Sequence, residues 1–513
     1  MNIIFFTQSN SLDVFNQIQK RLRDLVELDR VGYYVANKFH YKDFLKKNHQ
    51  FEEENIIIKE WEIYKKARSY NPNKERLNHL DKNNLINLWT SYITDRRLSF
   101  GKNYAYKQSY APHFSFDHFL SITDIAFKEI EKLFDDINPD VIITLYTATF
   151  GDCIGHQIAK IRGIRSLDLR LSRLKNNVMF VDGVNEPPRH IEKLYNDKEF
   201  YPKDSSLKEA KMYIERVREK NAIYDGALKA GNQNKNSFRR KKSFLFSFSK
   251  KIPKILSYIR RKYEDDPQNL NPFESYFYEN FYKKYNNRSV FLKLRKHFVT
   301  KSFLDKENYI FYPLHVEPEL VLAQFARPYL NQIEVIRNIR YSTPMMKTLL
   351  VKDHPLMFGR RPINYYKKIL SIPNVKLVDP RISSEMVLKN CDLVIMIRGA
   401  MGLEAVIKKI PVIALGKTMF QLLPKEMYRF CDSLYNLKSD VDDLTKNYTY
   451  NEEALLRYIS SVIEGSCSVN LITDLLGKKG RYREETAKYE FDKHPHFDIL
   501  TEHLLNRINA DKS

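Results

Sequence analysis

Residues 393–415, LVIMIRGAMGLEAVIKKIPVIAL, carry the plainest architectural signal in the chain. Leu393–Ile397 is a short, wholly apolar run, as expected of a strand covered on both faces. A loop with two glycines, Gly399–Gly402, follows it. Leu403–Lys408 then reads as a helix and Pro411–Leu415 as a further strand. Strand, glycine loop, helix, strand is the repeating unit of a parallel sheet with crossover helices. The two glycines allow close backbone approach, and the free N–H groups of the helix start attract an anion, most naturally a nucleotide phosphate. Glu404, in the first helical turn, offers a carboxylate to two ribose hydroxyls; its structural alternative is a favourable charge at the helix dipole.

The same alternation extends upstream. Tyr309–Pro313, Thr348–Lys352 and Val375–Val378 read as strands. Glu319–Arg340, Tyr365–Ser371 and Ser383–Asn390 read as helices between them. A parallel-sheet domain is therefore expected over 301–465. Near the start, Asn2–Thr7, Leu12–Leu28 and Val31–Val35 give strand, amphipathic helix and strand. Residues 41–120 show weak periodicity and read as helical. Ile122–Ile137 is a helix stopped by Asn138-Pro139-Asp140, Val141–Leu145 is a β-branched strand, and Ile154–Arg162 is a helix closed by Gly163. This predicts a doubly wound domain over 1–205. Residues 206–300 break the pattern and read as a basic helical insertion or linker, and 466–513 as a charged C-terminal helical tail. The fold class is α/β, with two doubly wound parallel-sheet domains.

Composition narrows the function. The 513 residues are 43% hydrophobic, which excludes a chain disordered throughout. No apolar run approaches the length of a membrane span, and the first residues lack a basic n-region and an apolar h-region. Lysine and arginine number 85 against 63 acidic residues, a formal charge of +22, which favours anionic partners. The four cysteines, Cys153, Cys391, Cys431 and Cys467, form no CxxC pair and suit a reducing compartment. Asp135-Asp136 and Asp265-Asp266 lack a third ligand at useful spacing, so no metal site is expected.

Three further motifs fall where chemistry is placed in such folds, at the carboxyl ends of strands or the starts of helices, and a fourth lies in the basic insertion. In Lys352-Asp353-His354-Pro355, Lys352 or His354 would hold a phosphate or leaving group; the alternative is a turn with a structural histidine. Ser383 and Ser384 open a helix, either as a cap or with both hydroxyls on phosphate oxygens. In Tyr146–Asp152, Asp152 is the best-placed carboxylate of the first domain for a general base, or else a helix N-cap. The tract 237–263 interleaves Arg239, Arg240, Lys241, Lys242, Lys250 and Lys251 with Phe, Leu and Ile. That pattern fits a segment lying on anionic lipid; single-stranded nucleic acid or a solvated helix pair are the alternatives.

Taken in order, several elements of the second domain resemble the capsule polysaccharide biosynthesis family, which includes bacterial transferases of 3-deoxy-manno-octulosonic acid (Kdo). They are Tyr312–Pro318, Val351–Pro355, Asn374–Val378, Ser383–Glu385, Gly399–Ala405 and Pro411–Gly416. The resemblance implies a GT-B glycosyltransferase, with two Rossmann-like domains facing a central cleft and the donor gripped by the second. It implies His354 on donor phosphate, Ser383 and Ser384 near it, and Glu404 on the ribose. Arg398 stands where the family often has a small hydroxyl residue, adding a cation beside the phosphate loop, and His315 where it often has Gln.

The resulting expectation is transfer of a sugar from a nucleotide-sugar donor, CMP-Kdo-like or other, to a surface polysaccharide or glycolipid. Lys352, His354, Ser383, Ser384, Arg398, Gly399, Gly402 and Glu404 would bind the donor, and Asp152 and His354 would act in catalysis. Stabilisation of the leaving phosphate by the helix start and the cations makes a metal unnecessary, and no cofactor beyond the substrate is expected. The enzyme would work in the cytoplasm at the inner membrane face, where lipid-linked acceptors lie. A nucleotide-sugar 2-epimerase is the nearest enzyme alternative. A non-catalytic module binding RNA or acidic polymer explains the charge but leaves the phosphate loop unexplained, so nucleic acid is not expected as a partner.

Overall fold

The computed structural model describes residues 1–82, 87–101, 112–183, 187–220, 224–227, 272–483, 485 and 487–510. Two sheets organise them. The first has seven strands in the order β13-β6-β5-β4-β1-β2-β3. They are β1 (Ile3–Thr7), β2 (Val31–Val35), β3 (Ile56–Lys59), β4 (Val141–Leu145), β5 (Arg165–Leu171), β6 (Asn177–Asp182) and β13 (Cys467–Ser468). The five from β3 to β5 run parallel; β6 pairs antiparallel with β5, and β13 antiparallel with β6.

The second sheet has six parallel strands in the order β12-β11-β10-β7-β8-β9. They are β7 (Tyr309–Pro313), β8 (Thr348–Lys352), β9 (Val375–Val378), β10 (Cys391–Met396), β11 (Val412–Ala414) and β12 (Tyr428–Phe430). Counted within the domain this is the 3-2-1-4-5-6 order of a Rossmann sheet, and the parallel part of the first sheet follows the same rule. The inner strands β1, β4 and β10 are almost entirely buried, which is why they read as continuous apolar runs rather than alternating ones.

Local chemistry sets the helices that flank the first sheet. α1 (Ser11–Leu25) follows β1, and α2 (Phe116–Ile137) ends at Asn138, whose left-handed conformation, φ 48°, closes it. α3 (Phe150–Ile161) starts with a capping box: the Thr149 hydroxyl accepts from the Asp152 N–H, and the Asp152 carboxylate accepts from the Thr149 N–H. Its glycines let it lie directly on the sheet. A Cβ at Gly151 would stand 2.1 Å from Tyr34 Cζ, and one at Gly155 2.1 Å from Phe6 Cζ.

Three features depart from the expected elements. β3 falls inside the stretch read as helical, because its apolar core is only Ile56–Ile58 at a sheet edge. β5 was hidden by its charges: Leu167, Leu169 and Leu171 alternate with Asp168 and Arg170, yet both charged residues are buried. The helix expected over Glu319–Arg340 is broken at Pro328 into α7 (Leu320–Phe325), a 3-10 turn, and α8 (Gln332–Ser342). Preceding it, the former insertion ends in α5 (Pro272–Phe277), a π-helical turn Tyr278–Tyr282, and α6 (Lys283–Leu294).

The two sheets are joined by an apolar layer rather than a bare linker. α4 (Asp204–Glu219) and α11 (Glu452–Glu464) lie in one core with Met179 and Val181 of β6, Phe311 of β7 and Ala405 and Val406 of α10 (Ala400–Ile407). Residues 466–483 and 487–510 do not trail away as a tail. β13 joins the first sheet, and α12 (His496–Asn509) packs its Phe497, Leu500 and Leu504 into the same core as Phe15 and Ile18 of α1. Arg507 donates to Asp182 at 2.6 Å, tying α12 to the end of β6. Among the described residues no helix is long and apolar enough to cross a membrane.

Candidate active site in the interdomain cleft

In an open parallel sheet, ligands bind beyond the carboxyl ends of the strands where the order reverses. In the second sheet that place lies between β7 and β10, occupied by His315 and by Arg398-Gly399. In the first it lies between β1 and β4, where Tyr146 follows β4. These edges face each other across a pocket of about 240 Å³. Tyr146, Arg170, Arg173 and Tyr224 line it from one side, and His315, Glu319, Phe325, Arg398 and Gly399 from the other. A two-domain Rossmann protein with this facing cleft has the GT-B arrangement.

The pocket is built around guanidinium groups. Phe325 is flanked by two of them, Arg398 at 4.0 Å and Arg170 at 5.2 Å from the ring centroid. Arg173 lies 4.9 Å over the Tyr224 ring. Arg170 is matched by Asp168, whose carboxylate accepts from its Nε at 2.6 Å. Among the described lining residues Glu319 is the one carboxylate, against the guanidinium groups of Arg170, Arg173 and Arg398. Two of its residues, Tyr146 and Arg173, hold left-handed backbone conformations, with φ 50° and 67°. Such strain persists only where the surroundings impose it, and it concentrates at functional sites. Tyr146 is held by its hydroxyl, which accepts from the Leu171 N–H at 2.7 Å.

His315 connects the two strand ends. Its Nδ1 bonds to Glu319 at 3.1 Å, and its Nε2 accepts from the Arg398 N–H at 3.3 Å. The Nδ1 atom is therefore the protonated one. Burial alone would raise the Glu319 carboxyl, but the His315 hydrogen bond and the positive charge of Arg173 hold it below its ordinary value. It is ionised at neutral pH.

Beneath these groups sits a buried ionic hub. Arg361, wholly enclosed, pairs with Asp353, lies 3.7 Å from Glu317 and donates to the His315 carbonyl at 2.5 Å. Gln332 accepts from the His315 N–H at 2.8 Å. The loops after β7 and β8 are thereby locked to each other, which positions His315 and His354 together.

The structure distributes the residues singled out by sequence unevenly. Arg398 and Gly399 line the cleft, and Gly399, φ 132°, adopts a conformation open to glycine alone. His354 stands next to Glu319 and Lys352. Burial pushes His354 down to about 4, so it is neutral, and its Nδ1 accepts from the Leu356 N–H, leaving Nε2 as a donor. Lys352 is buried, and burial lowers its pKa.

Others turn away from the pocket. Gly402 faces the sheet: a Cβ there would stand 2.2 Å from Met396 Cε and 2.7 Å from Phe420 Cζ, so its smallness serves packing. Glu404 lies beside Tyr213 of α4 and helps raise that phenol. Ser383 is the cap of the five-residue α9 (Ser384–Leu388), accepting from the Met386 N–H at 3.3 Å, and neither it nor Ser384 lines the cleft. Asp152 belongs to the capping box. Its Oδ2 accepts from the Ala148 and Thr149 N–H groups, and it is enclosed at the start of α3 rather than presented to the cleft. Burial pushes it up to about 6. Arg239, Arg240, Lys241, Lys242, Lys250 and Lys251 lie outside the described residues.

The sequence reading did not single out Arg170, Arg173 or Glu319 as site residues. A usable signal existed for the first: charged residues inside an otherwise alternating, buried strand demand a partner or a function.

Two other clusters do not compete with this site. A larger hollow of about 530 Å³, lined by Arg218, Glu385, Lys389, Lys408 and Lys409, lies outside the cleft. Lys408 there donates to the backbone carbonyls of Arg218 and Lys220, and Arg218 pairs with Glu452 at 2.5 Å. Asp474, His494 and His496 bring potential metal-ligating atoms within 4.8 Å of one another. However, His494 Nδ1 accepts from the His496 N–H and His496 Nδ1 from the Asn470 N–H, both at 3.3 Å. Each ring proton then sits on Nε2, opposite to the pattern of a metal-binding histidine.

Residues 273–423 match the family model described as capsule polysaccharide biosynthesis protein, so the chain carries a domain of that family. The match spans α5 to the loop after β11 and includes the second-domain half of the cleft. No protein of curated function matches the sequence. Among solved structures, the chain is similar to the β-Kdo 2,7 transferase KpsC of Thermosulfurimonas dismutans, at 12% identity and TM-score 0.36, over 74% of this chain and 89% of that one. It is also similar to the UDP-GlcNAc 2-epimerase of Methanocaldococcus jannaschii, at 13% identity and TM-score 0.24, over 90% and 98% of the two chains.

Proposed function

We propose that this chain is a glycosyltransferase that moves a sugar from a nucleotide-sugar donor to a surface polysaccharide or glycolipid acceptor. The observation that supports it most is the cleft: Arg173 from one domain and Arg398 from the other converge beside the glycine-led start of α10. In the reaction the bond between the anomeric carbon and the donor phosphate breaks, and negative charge collects on the departing phosphate oxygen. Guanidinium groups and helix N–H groups set in advance around that oxygen stabilise the charge as it develops. The acceptor hydroxyl supplies the new bond to the anomeric carbon and gives up its proton. Glu319, ionised and facing the cleft, takes that proton in this reading, in place of Asp152. His354, a neutral donor through Nε2, would hydrogen-bond the donor phosphate. Lys352, Ser383, Ser384 and Glu404 lie outside the lining of this pocket and take no part in this reading. Peripheral contact with an anionic membrane belongs to the same proposal.

Thermal shift with CMP, UDP, GDP, CDP and their sugars tests it, because a ligand that binds only the folded chain raises the melting midpoint. One nucleotide should shift wild type, and Arg398→Ala should abolish the shift. Product analysis then separates the enzyme classes. Nucleotide release that depends on an acceptor supports transfer, whereas conversion of donor sugar without acceptor identifies an epimerase. No shift with any nucleotide, in a well-folded sample, defeats the donor-site assignment.

A further inference from the structure

Outside the cleft, the face that stands out is the helical stretch from Phe273 to Lys296. Its inner side is fastened to the second domain. Tyr278, Val290 and Leu294 are buried, and Asn286 donates to the carbonyls of Gly359 and Arg361 at 2.8 and 3.2 Å. Glu279 pairs with Arg360 at 2.9 Å, and a Cβ at Gly359 would stand 2.7 Å from Asn287 Cβ. The helix is thus held against the loop that carries the Arg361 hub.

Its outer side presents large apolar groups to solvent. Phe277 is 61% exposed, Tyr285 76% and Leu292 49%, with Phe273 and Phe281 also exposed at four-residue spacing. Phe277 and Phe281 stack with ring centroids 5.6 Å apart, and the buried Tyr278, Val290 and Leu294 mark the opposite side, so these groups lie on the outer face. The charges on that side are one-signed: Lys284, Arg288, Lys293, Arg295 and Lys296 are exposed, against a single exposed acid, Glu274. An exposed aromatic stripe interleaved with lysine and arginine is the pattern of a helix lying in a lipid headgroup layer, with rings at the acyl boundary and cations at the phosphates. A protein partner's apolar surface would accept the rings but leave five cations unmatched.

We propose that this face, through Phe277, Tyr285 and Leu292 with the flanking Lys284, Arg288, Lys293, Arg295 and Lys296, docks the protein on an anionic lipid surface. It does so independently of the chemistry in the cleft. The connection through Asn286 and Arg361 fixes the orientation of the cleft relative to the bilayer.

Co-sedimentation of the full chain with phosphatidylcholine vesicles, with and without phosphatidylglycerol, tests this. Binding should require the anionic lipid and weaken with salt. The triple variant Phe277→Ser, Tyr285→Ser, Leu292→Ser should lower binding by at least about tenfold, while a nucleotide-induced thermal shift stays as in wild type. A second measurement does not depend on that variant folding: Tyr285→Trp should give a blue-shifted indole emission with anionic vesicles that wild type lacks. Equal binding to neutral vesicles, undiminished binding by a folded triple variant, or no blue shift overturns the proposal. So does a dimer that the triple variant dissolves, or salt-sensitive binding to single-stranded RNA that it abolishes, since either gives the face another occupant. Loss of nucleotide binding in wild type would defeat the transferase reading and leave this one standing.

Discussion

At the scale of single residues, the cleft depends on charges drawn from both domains. Arg173 and Arg398 line one pocket from its two sides, an arrangement that suits an anionic ligand. Removing a charge-assisted hydrogen bond costs about 1.5–3 kcal/mol. Arg173→Ala and Arg398→Ala should therefore each weaken nucleotide-sugar affinity by about 10- to 100-fold, as isothermal calorimetry would read. Unchanged affinity for both would remove the cleft from consideration. A second consequence concerns Glu319, whose pKa is depressed partly by the His315 hydrogen bond. Loss of that bond lets the pKa rise. If Glu319 accepts the acceptor proton, His315→Ala should move the acidic limb of the kcat/KM profile to higher pH, and Glu319→Gln should remove the limb. A limb that stays in place in His315→Ala would argue that another group titrates.

At the scale of elements, glycine sets how closely a helix meets its sheet. α3 rests on Phe6 and Tyr34 through Gly155 and Gly151. Phe6 is in β1 and is buried, so it has little room to yield. Gly155→Ala should destabilise the chain by about 1–3 kcal/mol through overpacking, seen as a lower denaturation midpoint with an unchanged slope. The loop that carries Tyr146 leads into α3, so the same variant should also weaken donor binding. A fully stable Gly155→Ala would mean that the β1–α3 packing is looser than the geometry indicates. The helix expected over Glu319–Arg340 gives a complementary lesson. Pro328 divides it, and the break is what puts Phe325 at the end of α7, between the two arginines.

At the scale of the whole molecule, buried neutral histidines govern the response to acid. Burial holds His156, His354 and His503 at about 4 and His190 at about 3, against an ordinary value of 6.5. Below pH 6.5 the unfolded chain binds protons that the folded chain refuses, so stability falls as pH drops from 6.5 toward 4. Asp152, held up at about 6 against 3.8, has the opposite sign and offsets roughly one of these four groups. Denaturation midpoints at pH 7.5, 6 and 5 should decrease in that order. Equal or rising midpoints would show that these histidines are protonated in the folded state.

The parallel alternation of the second domain was legible in the sequence because inner strands are covered on both faces. Leu393–Ile397 and Val412–Ala414 are apolar throughout, and nothing distant in the chain changes that requirement. The position of Arg398-Gly399 at a strand end was legible for the same reason: it follows from local order alone. What the tertiary structure decided is which strand ends face each other. Arg173 enters the cleft only because β5 lies beside β4 and the second domain closes over its end; Phe325 does so because α7 stops short of Pro328. Gly402 and Asp152 show the converse. Their residue types suit a phosphate or a base, but one is committed to a close packing contact and the other to a helix cap. Local chemistry is written in neighbouring residues, whereas convergence depends on contacts between segments more than a hundred residues apart.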